Sequence, residues 1–403
     1  MTTRLTAFIL GCASLALFLP GITTPTEPYY DEPLYIPAAR AFLARANNPN
    51  PEAPPLGKLF VAAGIRLFGD NPLGWRIMSA VIGSITLVAL YLWTQLLLDD
   101  FALALTAAML TLFNNFLFVM SRVAMMDIYL LGFTFCGLLF YTLALKIQTQ
   151  SRFRRRALMV LAGIMFGLSC ACKWNGVDAL AVAFILGAVL LWSPAWISKD
   201  LAPYSANLRE VGWPWFVFSL AIVPIAAYDA AFWPLFHSLN RAFSLNELAD
   251  MNLYIWRFHR AVKGNAPIIS QWYSWPLQFA PQRGLSYLVG NWFLMWGGLV
   301  AIAICARRFL TSLPETMIVA LYAANLLQWA VTPQTCLYYY YYFPAACFLC
   351  IAIPTAIRHW TARPFGVSLR LLFVIISLCI FAYCYPRMAH LQAPYDCMFG
   401  CWN

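Results

Sequence analysis

Few side chains in this sequence can move a proton or meet a phosphate, and they gather in short motifs. The first is Tyr29-Tyr30-Asp31-Glu32-Pro33-Leu34-Tyr35. Adjacent carboxylates near lipid are costly unless solvated, paired or bound to a cation. Asp31 and Glu32 therefore read either as a solvated loop end or as a general base, a carboxylate that takes the proton of an attacking hydroxyl. A divalent cation beside the two acids is a further reading, which carboxylates alone do not establish. The second motif is Glu52-Ala53-Pro54-Pro55-Leu56-Gly57-Lys58. Its paired prolines forbid helix and hold Glu52 and Lys58 on a rigid corner. The stretch from Lys58 to Phe68 mixes apolar and basic residues as an interfacial helix or juxtamembrane anchor does.

The third motif, Ser121-Arg122-Val123-Ala124-Met125-Met126-Asp127, sets two charges five residues apart. Arg122 and Asp127 are each expensive near lipid, so they are expected to pair or to face a polar cavity. In Cys172-Lys173-Trp174-Asn175-Gly176, Lys173 reads as a snorkelling lysine or as a positive charge aimed at a phosphate. Asp178 and Asp229 are open in the same way. Further on, Arg257-Phe258-His259-Arg260 places a histidine among arginines, a combination that can contact an anion. Trp272 and Trp275, in Ser270-Gln271-Trp272-Tyr273-Ser274-Trp275-Pro276, suit either an interface belt or stacking on a sugar face. Tyr338 to Tyr342 form an unbroken run ahead of Phe343-Pro344, as an aromatic belt at a span's end would.

The elements that must position these residues follow from composition. Of 403 residues, 62% are hydrophobic and 10% charged, against roughly 25% charged in a soluble domain. That excludes an ordinary water-soluble enzyme, a disordered chain and a coiled coil. The fold class is an all-α polytopic membrane protein in one domain, residues 1–403. Eleven spans, at about 20 residues each, are predicted near 5–21, 73–97, 101–119, 124–145, 157–173, 175–192, 213–233, 285–305, 313–332, 338–356 and 367–385. The first resembles a retained signal-anchor, with Arg4 ahead of its apolar run.

Short loops rich in Lys and Arg stay inside. Lys146, Arg152, Arg154, Arg155, Arg156, Lys199, Arg209, Arg307, Arg308, Arg358 and Arg363 then fall on the inner side, with the N-terminus inside and the C-terminus outside. Two longer polar segments, 22–72 and 234–284, become helical outer loops, the first of them catalytic. Eleven of the sixteen acids share that outer side, so any chemistry is expected there. The net charge of +10 then reflects positive-inside retention, with a share left for an anionic substrate, and calls for no nucleic acid. The twelve cysteines lie mostly in apolar runs and show no zinc-site spacing. Cys397 and Cys401 could bridge in an oxidising compartment.

No single motif decides the function, but their order is informative: an acidic pair after span one, a PPLGK corner, an R-x4-D turn, a KWNG turn, a Ser-x-Trp-x-x-Trp-Pro loop and a tyrosine run before proline. Taken together, this order resembles the protein O-mannosyltransferase family, integral-membrane glycosyltransferases of the GT-C fold that use polyprenyl-phosphate-linked sugars. The DEP opening and the acid-x-Pro-Pro corner are also similar to bacterial lipid A aminoarabinose transferases. The resemblance implies a GT-C fold and a polyprenyl-phosphate sugar donor whose head group lies at the outer surface of a bacterial cytoplasmic membrane. It implies Asp31 as catalytic base with Glu32 beside it. Around the donor phosphate and substrates it implies Arg122 and Lys173 as cations, with Glu52, Lys58, Asp127, His259, Trp272 and Tyr339 as further contacts.

Two departures stand out. The family usually has a histidine before the paired prolines, where this chain has Ala53. The lumenal MIR domain of the eukaryotic enzymes is missing from this sequence, which is expected to be a minimal bacterial form. The expected reaction is transfer of mannose or another hexose to a hydroxyl, favouring Ser/Thr of secreted proteins over a lipid acceptor such as lipid A. A single displacement at the anomeric carbon would invert its configuration. The rival class, a transporter or flippase, predicts ionisable residues near mid-span and repeated broken helices, whereas the acids here gather at the turns.

Overall fold

The computed structural model describes residues 2–148, 151–192, 198–262, 270–277, 288, 290–332, 334, 336–360 and 363–391. These are helical, and no strand occurs among them. Four helices make the first part: α1 (Thr3–Phe18), α2 (Glu32–Leu43), α3 (Leu56–Phe68) and α4 (Pro72–Leu98). Then follow α5 (Phe101–Leu112), α6 (Asn115–Met120), α7 (Met126–Lys146), α8 (Arg152–Cys172), α9 (Val177–Trp192) and α10 (Ala202–Val211). The next segment is built from α11 (Trp213–Val217), a π turn at Phe218–Ile222, α12 (Val223–Ala230), α13 (Trp233–Ser238) and α14 (Leu245–Ala261). The last part comprises α15 (Trp292–Ala306), α16 (Leu313–Val331), α17 (Phe343–Trp360) and α18 (Arg363–Met388).

Among the described residues, seven helices are long and apolar enough to cross a membrane, beginning with Pro72–Leu98 and ending with Pro364–Met388. Thr3–Phe18, Phe101–Leu112 and Trp292–Ala306 are apolar but shorter. The span predicted at 101–119 is in fact two pieces. Asn114, just past the Phe113 cap that ends α5, caps α6, its side-chain oxygen accepting from Phe116 N–H, while its amide lies 3.5 Å from Cys350 Sγ. A cap residue that bonds the backbone locally competes with continued helix, which explains the break. Part of the segment predicted to begin span 285–305, and both Cys397 and Cys401, lie outside the described residues.

The core is organised around α4, which packs on α1, α3, α5 and α7. Trp93 near its C-terminal end is buried and donates Nε1–H to Thr142 Oγ1 at 2.9 Å, tying α4 to α7 with no unpaired donor. Two ends of the bundle differ in charge chemistry. At one end Lys146 meets Asp99 at 2.5 Å, Arg155 pairs with Glu210 and Arg358 donates to Leu98 O. At the other end the N-termini of α2 and α7, the 173–176 turn and the Tyr339–Tyr342 turn converge, and the motifs meet there.

Candidate active site

Asp31 occupies the N-cap position of α2, but its side chain makes no cap bond to the helix. A capping aspartate normally turns its carboxylate onto the first free N–H groups; this one turns away. Tyr340 Oη–H donates to Asp31 Oδ2 at 2.8 Å, and Tyr35, one helical turn along α2, bonds the same carboxylate. Burial pushes the Asp31 carboxyl above its ordinary value; the Tyr340 bond and the Lys173 charge pull it back, Asp127 pushes it up and Tyr35 draws it down. The residue before it, Tyr30, has φ of 53°. That left-handed backbone is uncommon for a bulky side chain and is a form of strain that concentrates at functional sites.

Glu32 lies in the opposite environment. Its side chain is 0% exposed, as is that of Arg76. Arg76 Nε–H and Nη2–H reach Glu32 Oε1 and Oε2 at 2.8 Å each, a bidentate pair. Ala124 N–H and Tyr29 N–H donate to the same carboxylate at 2.9 and 3.2 Å. Arg76 also donates to Ile22 O, Pro25 O and Glu27 O. Glu32 therefore spends its lone pairs joining α2 to α4 and to the 121–125 turn, and Arg76, within a span, escaped notice in the sequence.

The partner of Asp127 is Lys173 rather than Arg122. Lys173 Nζ stands 2.8 Å from Asp127 Oδ1, while the buried Asp127 Oδ2 takes no hydrogen bond within the described protein. Asp127 sits in the first turn of α7, where the helix N-terminus favours a negative charge. The Lys173 ammonium also lies 4.2 Å and 5.5 Å from the ring centroids of Tyr341 and Tyr340, an attractive cation–π arrangement. Gly176 lets the turn fold back on α8: a Cβ there would stand 2.5 Å from Cys170 N. Asn175 Nδ2–H donates to Gln328 Oε1 at 2.8 Å, and Gln328 in turn bonds Asp178, so the turn is fixed to α9 and α16. Asp178 thereby has a structural partner.

Arg122 is sealed away from this group. Its Nη1–H atoms donate to Phe18 O and Pro20 O at 2.5 Å, Nη2–H donates to Ala389 O at 3.4 Å, and the guanidinium lies over Phe118. Among the described residues it has no ion pair. The expected Arg122–Asp127 pair is thus replaced by two separate arrangements, and Arg122 clamps the end of α1 to the end of α18.

Lys58 is likewise sealed. It is 0% exposed and donates to Asn50 O, Ala53 O and Asn50 Oδ1 at 2.6, 2.7 and 3.2 Å. Three donors are all an ammonium has, so Lys58 closes the proline corner and offers nothing to a phosphate. Burial pushes its ammonium down to about 7. Gly57 beside it lets α3 pack against Met126. Glu52 accepts from Asn50 Nδ2–H at 2.6 Å and stays half-buried, close enough to act on the charge of Tyr35 and His259. His259 Nε2 is 3.0 Å from Glu52 O; a carbonyl only accepts, so Nε2 carries the proton. Burial holds the His259 ring below its ordinary value, and Lys173 acts in the same direction.

The two remaining expectations shift by a few positions. Tyr339 is buried against Phe116, with ring centroids 5.1 Å apart, and its neighbour Tyr340 is the one that reaches Asp31. Trp272 packs at the edge of the core beside Tyr273. Trp275 is the buried one: it donates Nε1–H to Ser270 Oγ at 2.7 Å and meets Trp329 and Tyr341 ring to ring, backing the ring that faces Lys173. Asp31, Asp127 and Lys173 make a poor cation site, since the ammonium already stands among the acids. Among the described residues no group of three or more His, Cys, Asp or Glu side chains could hold a metal ion.

The fold is that of membrane glycosyltransferases with the GT-C architecture. The Pmt1–Pmt2 protein O-mannosyltransferase complex of S. cerevisiae, bound to the sugar donor, aligns with a TM-score of 0.82 over 96% of this chain and 90% of that one, at 12% identity. ArnT from Cupriavidus metallidurans, bound to undecaprenyl phosphate, aligns with a TM-score of 0.63 over 94% of this chain and 63% of that one, at 15% identity. More narrowly, residues 68–240 carry a domain of the family described as dolichyl-phosphate-mannose-protein mannosyltransferase. A polyprenol-phosphate-mannose–protein mannosyltransferase of Mycobacterium tuberculosis is 23% identical, covering 95% of this chain and 87% of the relative. The enzyme of the same name from Mycolicibacterium smegmatis is 28% identical over 58% of this chain and 50% of its own length.

Proposed function

We propose that this protein transfers mannose from a polyprenyl-phosphate donor to a Ser or Thr hydroxyl of a protein, with Asp31 as base and Lys173 as the cation for the departing phosphate. The observation that carries the assignment is the juxtaposition of Asp31, Tyr340, Lys173 and Asp127 in a chain related to mannosyltransferases of that name. Asp31 takes the acceptor's proton, the acceptor oxygen bonds the anomeric carbon, and the bond from that carbon to the phosphate oxygen breaks. The electron pair leaves with the phosphate, and Lys173 meets the charge as it develops. Burial raises the Asp31 carboxyl, which makes its ionised form a stronger base.

Glu32 serves as a positioning residue: its pair with Arg76 holds the first turn of α2, and so the angle at which Asp31 enters the site. Asp127 holds Lys173 until a phosphate competes for it. Glu52 and His259 wall the site, and Lys58 and Arg122 hold the backbone around it.

The site end is assigned to the outer side of a bacterial cytoplasmic membrane. Eleven crossings between α1 and α18 then alternate across it, with α5 and α6 sharing one and α11 and α12 another. Support comes from the opposite end, where Lys146, Arg152, Arg154, Arg209, Arg307, Arg308 and Arg358 collect, as cytoplasmic loops do. Reconstituted protein given polyprenyl-phosphate-mannose with a β linkage and a Ser/Thr peptide is expected to yield the α-mannosyl peptide, read by the anomeric NMR signal. A β product would contradict the single displacement, and mannose appearing only on lipid would contradict the protein acceptor.

A further inference from the structure

Helix α14 is pinned to the rest of the molecule along one stripe. Leu248 packs with Phe232, Leu235 and Phe236, Asn252 accepts from Tyr228 Oη–H at 2.5 Å, Ile255 is buried, and His259 meets Glu52 O. Spacings of four, three and four residues put these on one face of a helix. A second stripe, Leu245, Leu253 and Trp256, is 66%, 43% and 46% exposed. Arg260 continues it, its guanidinium 5.8 Å from the Trp256 ring. The acids Glu247 and Asp250 lie on a different flank, with Arg257 exposed near them.

What covers the apolar stripe follows from its neighbours. The candidate span Trp213–His237 ends one short connection before Ser244 caps α14. That span exposes Ile222, Ile225 and Trp233, and a mostly apolar cavity of about 480 Å³, lined by Trp233, Phe243 and Leu245 with the Asp229 carboxylate among them, joins its surface to the α14 stripe. The apolar surface of a membrane-crossing helix thus continues onto a helix that is tethered at the membrane boundary. Tryptophan paired with a snorkelling arginine is the chemistry of that boundary, and an amphipathic helix with basic residues beside its apolar face lies in the interface plane.

We propose that α14 lies in the bilayer interface, with Leu245, Leu253 and Trp256 among the acyl chains and Arg257 and Arg260 at anionic lipid head groups, and that this seating presses His259 onto the Glu52 corner of the site. The docking rests only on the chain being embedded in a membrane; its effect on turnover rests on the proposed mannosyl transfer.

The test uses the full chain in nanodiscs of mixed phosphatidylglycerol and phosphatidylcholine, with p-benzoylphenylalanine placed singly at Leu253, Trp256 or Asp250. After irradiation, intact-mass analysis is expected to show phospholipid adducts at the first two positions, several-fold above those at Asp250. Equal adducts at all three, or a protein crosslink in place of lipid at Leu253, would overturn the docking. For the effect on turnover, the double variant Leu253→Glu, Trp256→Glu is expected to lower transfer several-fold with an unchanged unfolding temperature, and Trp256→Phe to keep full transfer. With p-benzoylphenylalanine at Leu245 of the double variant, loss of lipid adducts together with transfer at the full rate would overturn the coupling. Adducts are read without turnover, so an inactive parent protein would count against mannosyl transfer and leave the docking intact.

Discussion

Asp31 and Glu32 are adjacent in the chain and opposite in circumstance. Glu32 is fully buried and meets a guanidinium and two backbone N–H groups, so every acceptor position is engaged. Asp31 keeps some exposed surface, meets two tyrosine hydroxyls, and feels Lys173 without pairing to it. A saturated carboxylate fixes structure, and one that keeps acceptor capacity open can take a proton. The two lysines repeat the lesson: Lys58 has all three donors engaged by Asn50 and Ala53, whereas Lys173 meets one carboxylate and two ring faces.

The contrast can be broken in order of effect. Asp31→Asn keeps size and hydrogen bonding but removes the base, so transfer is expected to fall about 10²–10⁴-fold with little change in unfolding temperature; assays on folded, purified variant check it. Glu32→Ala strands Arg76, and losing one member of a buried pair costs on the order of 3–5 kcal/mol, so the loss should appear in thermal or denaturant unfolding. Lys173→Met should lower kcat by roughly 10²–10³-fold, the magnitude seen when one preorganised charge-stabilising donor is removed, whereas Arg122→Met should act on stability and leave the donor KM unchanged. The smallest effect is a shift in pH dependence. Activity needs Asp31 ionised, so it falls as pH drops through its raised value. Tyr340→Phe removes a bond that lowers that value, and the acid limb of the kcat/KM profile should move to higher pH.

Much of this was legible in the sequence, because composition announces spans and motifs announce turns. The Asp31-Glu32 pair, the PPLGK corner, the KWNG turn and the tyrosine run do end up around one end of the bundle. What could not be read was who meets whom. Asp127 has Arg122 five residues away, yet pairs with Lys173 at the end of the adjacent helix, because α7 and α8 are antiparallel neighbours and bring their site ends together. Glu32 finds Arg76 on α4, a residue that hydropathy files as part of a span. In the tyrosine run, the 3₁₀ turn from Tyr339 to Tyr342 rotates successive rings to different sides, so the choice between Tyr339 and Tyr340 was invisible until the turn was seen. Roles such as those of Lys58 and Arg122 depend on backbone carbonyls, which sequence does not distinguish.

The most direct measurement sets Asp31→Asn against Glu32→Gln, matched for folded protein, with polyprenyl-phosphate-mannose and a Ser/Thr peptide, and reads the hexose mass added to the peptide. The account predicts no added hexose from Asp31→Asn and a mannosylated peptide from Glu32→Gln in proportion to the protein that remains folded. Mannosylation by Asp31→Asn at the parent rate, or its loss in a fully folded Glu32→Gln, would contradict it.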